Sequence, residues 1–270
     1  MSNARCLDLF LLPDLARPED LAGRTAVVID VLRATTTIAH ALAAGAKAVV
    51  PCGEVEQARQ VALRLGADAL LAGERGGLPI PGFDLGNSPA EFTAQRVEGK
   101  TIVFTTTNGT RALLRCTGAE DVLLAAFVNF SAVCTELAGR DNVAIVCAGT
   151  DGQVTREDVL LAGAIVDDLV GPHPPLSGHA TESDRTVAAG RKTERPAWRL
   201  NDQAEIAVDA WRTAVRLLTD RPLGLTLRAS QGGRNLIEIG QENDIDLAAQ
   251  IDRFDLVPRY DPASGLVVRV

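Results

Sequence analysis

Residues 25–37 read TAVVIDVLRATTT, an apolar run rich in β-branched residues that leads directly into Asp, Arg and three Thr. The run Thr25–Ile29 predicts a buried strand, and the residues after it predict a helix that Gly45 ends. In α/β proteins, ligands bind where a buried strand gives way to a helix. The segment therefore predicts an α/β fold and a site that includes Asp30 and Arg33.

Strand and helix signals keep alternating through the first 170 residues. Further short apolar runs predict buried strands at 46–50, 69–72, 101–105, 122–126 and 143–147. Helices are predicted at 55–65, from an N-cap at Ser88 with Pro89 in the first turn, and at 159–170. Continuous apolar strands separated by helices indicate a mainly parallel sheet that is covered on both faces.

Residues 171–203 interrupt this rhythm with prolines, glycines and many charges, which predicts an irregular insertion. Beyond it, the sequence predicts helices at 202–218 and 244–251 and strands at 254–257 and 266–270. The chain shows no internal repeat and no obvious linker. We therefore expect residues 1–270 to form a single α/β domain that carries this insertion.

Composition and charge argue against several classes of function. Hydrophobic residues make up 46% of the chain, enough for a large core, but the aromatic residues that stack on nucleic-acid bases make up only 4%. The formal net charge of −8 disfavours binding to DNA, RNA or an anionic membrane. The apolar run 7–12 is too short for a signal peptide or a membrane span, so we expect a cytoplasmic protein.

The cysteines and histidines offer little chemistry. Five scattered cysteines without a Cys-x-x-Cys pair predict reduced thiols rather than disulfides or a zinc site. Cys147 is interpreted as a buried structural thiol, since position 153 is Gln where the loop of a cysteine phosphatase needs Arg. The three histidines lack metal-ligand spacing, so carboxylates remain as ligands and favour a hard cation such as Mg²⁺.

The first candidate cluster follows the strand Thr25–Ile29. Asp30 can ligate Mg²⁺ or act as a base, and Arg33 can bind phosphate or sulfonate oxygens. Thr35 can contact the ligand or stabilise the first turn of the helix, and Asp30 itself can serve only as a helix cap. Position 32 is Leu, so the Asp-x-Asp pair of phosphatases that form an aspartyl-phosphate is missing.

The second candidate cluster lies in the Gly- and Pro-rich residues 73–87, which predict a long loop. Its glycines allow a ligand to approach the backbone closely. Glu74 and Asp84 are candidate metal ligands, and Arg75 is a candidate anion-binding residue. The alternative is a structured surface loop whose Gly, Pro and Asx residues only form turns.

The third candidate cluster joins the strand 101–105 to the next helix. Hydroxyls, backbone amides and a guanidinium there predict a phosphate cradle. Its members are Thr106, Thr107, Asn108, Gly109, Thr110 and Arg111. The Gly-Lys-Ser/Thr ending of a Walker A loop is absent, and a strand-to-helix turn with a Thr cap is the alternative.

Three further positions are candidates with an equally plain structural alternative. Glu157 and Asp158, at the start of a predicted helix, can complete a metal shell or favour the helix dipole. Asn129 can touch a ligand or cap a helix. Arg234, in the Gly-rich residues 230–235, can close an anion site or belong to a turn that joins two helices.

Four of these segments together resemble the 2-phosphosulfolactate phosphatase family. They are VIDVLRATTT (28–37), GERGG (73–77), GFDLGNSP (82–89) and TTTNGT (105–110). The resemblance extends from about residue 5 to residue 258 and implies an α/β/α architecture with a mixed sheet. It also implies a Mg²⁺-dependent hydrolase of (2R)-phospho-3-sulfolactate that yields sulfolactate and phosphate, as in coenzyme M biosynthesis.

The working hypothesis is in-line attack on the phosphorus by a water that Mg²⁺ activates. Asp30, Arg33 and Glu74 are the catalytic candidates, and Asp30 and Glu74 are the first-choice metal ligands. Two alternatives stay open: a lyase or isomerase of a small phosphorylated acid, and a protein that binds such anions without turnover. The expected partner is a small anionic phosphate ester, and a symmetric homodimer is the commonest assembly of soluble proteins.

Overall fold

The computed structural model describes residues 5–171, 198–218 and 222–270, in which strands and helices alternate along most of the chain. The strands of these residues are β1 (Arg5–Phe10), β2 (Thr25–Ile29), β3 (Ala48–Pro51), β4 (Ala69–Arg75), β5 (Leu78–Pro79), β6 (Thr101–Thr105), β7 (Asp121–Ala125), β8 (Asn142–Cys147), β9 (Trp198–Leu200), β10 (Pro258–Asp261) and β11 (Leu266–Arg269). The α-helices are α1 (Pro18–Leu21), α2 (Ala34–Ala43), α3 (Val55–Leu65), α4 (Ala94–Val97), α5 (Gly109–Arg115), α6 (Phe130–Leu137), α7 (Arg156–Val170), α8 (Asp202–Leu218), α9 (Leu223–Arg228), α10 (Gln231–Glu238) and α11 (Asn243–Ala248).

The strands form one mixed sheet in the order β5-β4-β6-β3-β11-β10-β7-β2-β8-β1-β9. It contains two parallel groups, β4-β6-β3 and β7-β2-β8-β1-β9. The C-terminal hairpin β10-β11 lies between them and pairs antiparallel with β7 on one side and β3 on the other. Three successive antiparallel pairings therefore separate the groups, which run in opposite senses.

The central strands are apolar throughout because helices cover both faces of the sheet. In β2, Val27 and Ile29 join one core with α6, α7 and α8, whereas Ala26 and Val28 join a second core with α2 and α5. Every residue of β2 is buried as a result. These two cores confirm the predicted α/β fold with a mainly parallel, mixed sheet between two helical layers.

Most predicted elements appear within one or two residues of their expected ends. The strands predicted at 101–105, 122–126 and 143–147 and the helix predicted at 202–218 are confirmed as β6, β7, β8 and α8. Gly45 and Gly66 follow α2 and α3 with positive φ values of 90° and 72°. Both helices therefore end at glycine, as the sequence predicts.

Five local predictions are corrected. β1 was not predicted, and β9 lies inside the segment predicted to be irregular, where it pairs with β1. β4 continues through Arg75 and forms a hairpin with β5, so the predicted loop begins two residues after Glu74. Residues 254–257 are not a strand, and the residues after Ser88 form a single 3-10 turn without a side-chain cap. The predicted turn at 230–235 instead begins α10.

The rest of the predicted insertion, residues 172–197, lies outside the described residues. Within the described parts of the chain, no helix has both the length and the apolar character needed to cross a bilayer.

The contact between α7 and α8 provides a test of the fold. A Cβ atom added at Gly163 would lie 2.0 Å from the backbone oxygen of Ala207. We expect Gly163→Ala to lower the free energy of unfolding by about 1–3 kcal/mol, because α7 and α8 must separate to admit the methyl group. Gly118→Ala is the control, since no atom lies within 4 Å of its added Cβ. Equal denaturation midpoints for the two variants would contradict this close packing.

Candidate active site

Asp30 follows β2 and divides its two carboxylate oxygens between two roles. Its Oδ1 accepts a hydrogen bond of 3.1 Å from the amide of Ala34 at the start of α2. No described residue donates to its Oδ2, which faces Gly109 at the start of α5. A Cβ atom at Gly109 would lie 2.5 Å from that oxygen. Asp30 therefore stabilises the start of a helix and also presents a free oxygen to the neighbouring turn.

Glu74 connects β4 to the turn after β6. It is buried, and its Oε1 accepts a hydrogen bond of 2.7 Å from the amide of Thr107. Its Oε2 accepts another of 2.7 Å from the amide of Gly77. Two of the predicted clusters therefore meet at this carboxylate.

Asp158 connects the turns that follow β2 and β8. Its Oδ1 accepts from the amide of Val31 at 2.9 Å, and its Oδ2 accepts from the amide of Gly149 at 3.0 Å. Glu157, the preceding residue at the start of α7, is 1% exposed, and its buried Oε2 has no partner in the described structure. A Cβ atom at Gly232 would lie 2.1 Å from its Oε1, so α10 reaches this carboxylate only because position 232 is glycine.

Burial and mutual repulsion raise the pKa values of these carboxylic acids. Burial, together with the charges of Glu74 and Glu157, raises the pKa of Asp30 to about 7, although the hydrogen bond from Ala34 acts to lower it. Burial also raises the pKa of Glu157, and that of Asp158 lies well above its ordinary value because of burial and then of Asp30 and Glu157. The cluster is therefore short of positive charge.

Arg33, the cation closest in sequence to Asp30, is already paired. Its guanidinium donates to Asp244 Oδ2 at 2.7 Å, to the backbone oxygen of Gly77 at 2.7 Å and to Gln241. Asp244 also accepts a hydrogen bond of 2.6 Å from the hydroxyl of Ser88. The buried ion pair therefore fixes the arginine and offsets most of its charge.

Asp30, Glu74 and Arg33 line a cavity of about 220 Å³, which we call the carboxylate cavity. Its charged lining residues are Asp30, Arg33, Glu74, Asp151 and Glu238. Thr107 and Asn108 contribute polar groups, and Leu32, Leu236 and Ile239 form an apolar part of the wall. Four carboxylates therefore face a single guanidinium, which itself is paired with Asp244.

The remaining members of the third cluster lie behind this lining. The side chains of Thr106 and Thr110 accept hydrogen bonds from each other's amides, at 3.0 and 2.9 Å. The hydroxyl of Thr35 donates to the backbone oxygen of Asp30. These threonines support the turns, while Thr107 and Asn108 reach the cavity.

Seven other predicted residues, among them Glu157 and Asp158, do not line the carboxylate cavity. The guanidinium of Arg75 donates to the hydroxyl of Thr105 at 2.9 Å, and the exposed Arg111 is paired with Asp14. Asp84 is exposed, and its Oδ2 accepts from the amide of Leu71 at 2.8 Å.

Asn129 is buried and bonded to backbone atoms of Ala126, Leu124 and Leu256, which is the structural role that was its alternative. Arg234 lies in an adjacent groove.

Several residues in or beside the cavity were not predicted. Asp244 and Gln241 hold Arg33 from more than 200 positions away, and a single sequence contains no sign of such a contact. Asp151 was visible as part of a Gly-flanked turn after a predicted strand, which is the signal that identified the other clusters. Its φ of 51° marks a turn conformation that few non-glycine residues adopt.

The carboxylates are the type of ligand that Mg²⁺ prefers, but they do not form a complete coordination shell by themselves. Within the described residues, no group of three or more His, Cys, Asp or Glu side chains is arranged to hold a metal ion. Mg²⁺ commonly takes only one or two carboxylates and completes its octahedron with waters and substrate phosphates. The free Oδ2 of Asp30 and the unpartnered Oε2 of Glu157 suit that requirement.

Comparison with known proteins identifies the family. Residues 10–262 match the family model described as 2-phosphosulpholactate phosphatase. The chain is 43% identical over 245 residues to a probable 2-phosphosulfolactate phosphatase of Symbiobacterium thermophilum, covering 90% of this chain and 93% of that protein. Proteins of the same description from Thermotoga petrophila and Deinococcus radiodurans are 48% and 40% identical, covering 87% and 95% of this chain and 88% and 93% of their own lengths. The chain therefore belongs to the 2-phosphosulfolactate phosphatase family of phosphoric monoester hydrolases.

Proposed function

We propose that this protein hydrolyses 2-phospho-3-sulfolactate, or a closely similar phosphorylated 2-hydroxy acid, to the hydroxy acid and phosphate in a Mg²⁺-dependent reaction. Family membership supports phosphatase chemistry and this class of substrate. One structural observation supports the metal: four carboxylates and a single, paired guanidinium line the cavity. A substrate with phosphate, carboxylate and sulfonate groups would be repelled from it without a divalent cation.

The cation would be held by Asp30 and Glu74, which line the cavity, once Glu74 releases a backbone amide. The neighbouring Glu157, whose buried Oε2 has no partner among the described residues, would be a further ligand. When bound, Mg²⁺ offsets negative charge on the phosphoryl oxygens and lowers the pKa of water. Asp84 is not part of this proposal, because its side chain is exposed and bonded to Leu71.

The protein's own residues supply orientation. Asp30 would act as a ligand only, with its Oδ2 fixing the position of the cation relative to the substrate. Arg33 is held by Asp244 and Gly77, so it presents a fixed positive edge without losing side-chain entropy on binding. Thr107 and Asn108 line the cavity beside Glu74 and can donate to phosphoryl oxygens.

Four broader expectations belong to the same proposal. Residues 1–270 act as one domain, an expectation supported by the C-terminal hairpin β10-β11, which lies in the middle of the sheet that β1 helps to form. The product enters a sulfonate pathway such as coenzyme M biosynthesis, and the protein works in the cytoplasm, as a homodimer if it follows the commonest assembly.

The first prediction concerns turnover. Purified protein should release phosphate from 2-phospho-3-sulfolactate with Mg²⁺ and lose that activity in chelator. Asp30→Asn should reduce kcat/KM by about 100-fold or more, because it removes a carboxylate ligand of the cation. The matched control Asp84→Asn should stay within about two-fold. Near-normal turnover by Asp30→Asn, or turnover without a divalent cation, would refute the proposed roles. A product other than phosphate would indicate a lyase or isomerase.

The second prediction concerns stability in chelator. The folded-state pKa of Asp30, about 7, lies above the ordinary value of 3.8, so the folded protein binds more protons than the unfolded chain between those pH values. Its contribution to stability therefore falls as pH rises from about 4 to 7. At pH 8, the free energy of unfolding of Asp30→Asn should exceed that of wild type by about 1–3 kcal/mol. This difference should become smaller as the pH is lowered towards 4. Identical pH profiles of denaturation would contradict the buried, repelled state of Asp30.

A further inference from the structure

A second cavity, of about 630 Å³, adjoins the carboxylate cavity. The two share Thr150, Asp151 and Asn235 as lining residues, so a bound molecule can extend from one into the other. Arg156 and Arg234 line the second cavity only, and we call it the arginine groove. It lies between the first turn of α7 and the first turn of α10.

The charge of the arginine groove is opposite to that of its neighbour. Asp151 is its only acidic lining residue, whereas Arg156 and Arg234 are both basic. Arg234 has no carboxylate partner in the described structure. Its guanidinium donates to the backbone oxygen of Ala229 at 2.6 Å and to Gln231 Oε1 at 2.7 Å. These two bonds hold the planar group in place and leave its charge uncompensated.

Arg156 is exposed and makes no hydrogen bond or ion pair with any described residue. It is the first residue of α7, directly before Glu157. A positive charge at this helix end opposes the helix dipole, so the position carries no benefit for the helix itself. Its charge is therefore available to a ligand in the groove.

The proposed substrate carries two kinds of anionic group, one suited to a metal ion and one suited to an arginine. A hard cation takes oxygen ligands from phosphate and carboxylate, whereas a sulfonate is a much weaker base and a poor ligand for Mg²⁺. A guanidinium, by contrast, matches the geometry of an oxyanion with several equivalent oxygens. The sulfonate is therefore the group that gains most from a site outside the carboxylate cavity.

We propose that the arginine groove is the sulfonate subsite, in which Arg234 and Arg156 bind the non-reacting sulfonate while the phosphoryl group occupies the carboxylate cavity. This inference rests on the proposed function. Arg234, held by two hydrogen bonds, contributes more than Arg156. The subsite selects a sulfonated substrate over one that ends in a methyl group.

The test compares two substrates that differ only in the sulfonate, 2-phospho-3-sulfolactate and 2-phospholactate. Arg234→Gln, Arg156→Gln and the double variant are measured on both. We expect the double variant to lose about 10- to 100-fold in kcat/KM on the sulfonated substrate and less than about three-fold on 2-phospholactate. Arg64→Gln is the control, an exposed arginine on α3 that lines neither cavity. Because Arg156 is exposed and has no partner among the described residues, its replacement should leave the free energy of unfolding unchanged.

Equal losses on the two substrates, or no loss on either, would overturn the subsite. Calorimetric binding of 3-sulfolactate and lactate separates this failure from that of the proposed function. If wild type hydrolyses neither ester but binds 3-sulfolactate in preference to lactate, and the double variant loses that preference, the subsite is supported and the proposed function is refuted. If wild type shows no such preference, the subsite is refuted as well.

Discussion

Several buried carboxylates share one small region of this protein, and most of the site's architecture serves to hold them there. An ionised carboxylate in a protein interior is stable only when hydrogen bonds or opposite charges compensate for the lost water. Glu74 and Asp158 each accept two backbone amides from turns that follow different strands. Each carboxylate therefore joins two turns through hydrogen bonds, and the turns in turn hold the carboxylates close together.

Two carboxylate oxygens of this cluster accept no hydrogen bond from the described residues. Among the residues that the structure describes, Asp30 Oδ2 has no donor and the buried Oε2 of Glu157 has no partner. Glycine at positions 109 and 232 allows α5 and α10 to approach these two side chains closely. The surrounding chain thus accepts close contacts that any larger side chain would prevent.

The strands, the two-faced sheet and the turns that carry Asp30 and Glu74 could be predicted from sequence, because buried runs and Gly-rich junctions are local patterns. The direction of the two strand groups could not be predicted, since it depends on a C-terminal hairpin that pairs between β7 and β3. The partner of Arg33 is equally non-local, because Asp244 lies on a short helix near the C-terminus. Asp84 and Arg111 belong to segments that do approach the site, but their side chains point to other partners, which a sequence does not reveal.

The proposed function requires a divalent cation at the carboxylates that line the phosphoryl-binding cavity. A crystal grown with Mn²⁺ in place of Mg²⁺, and measured at a wavelength where manganese scatters anomalously, would locate that ion. We expect one strong anomalous peak within coordination distance of a carboxylate oxygen of Asp30. A map without a peak in the carboxylate cavity, or with its only peak on another surface, would contradict this expectation.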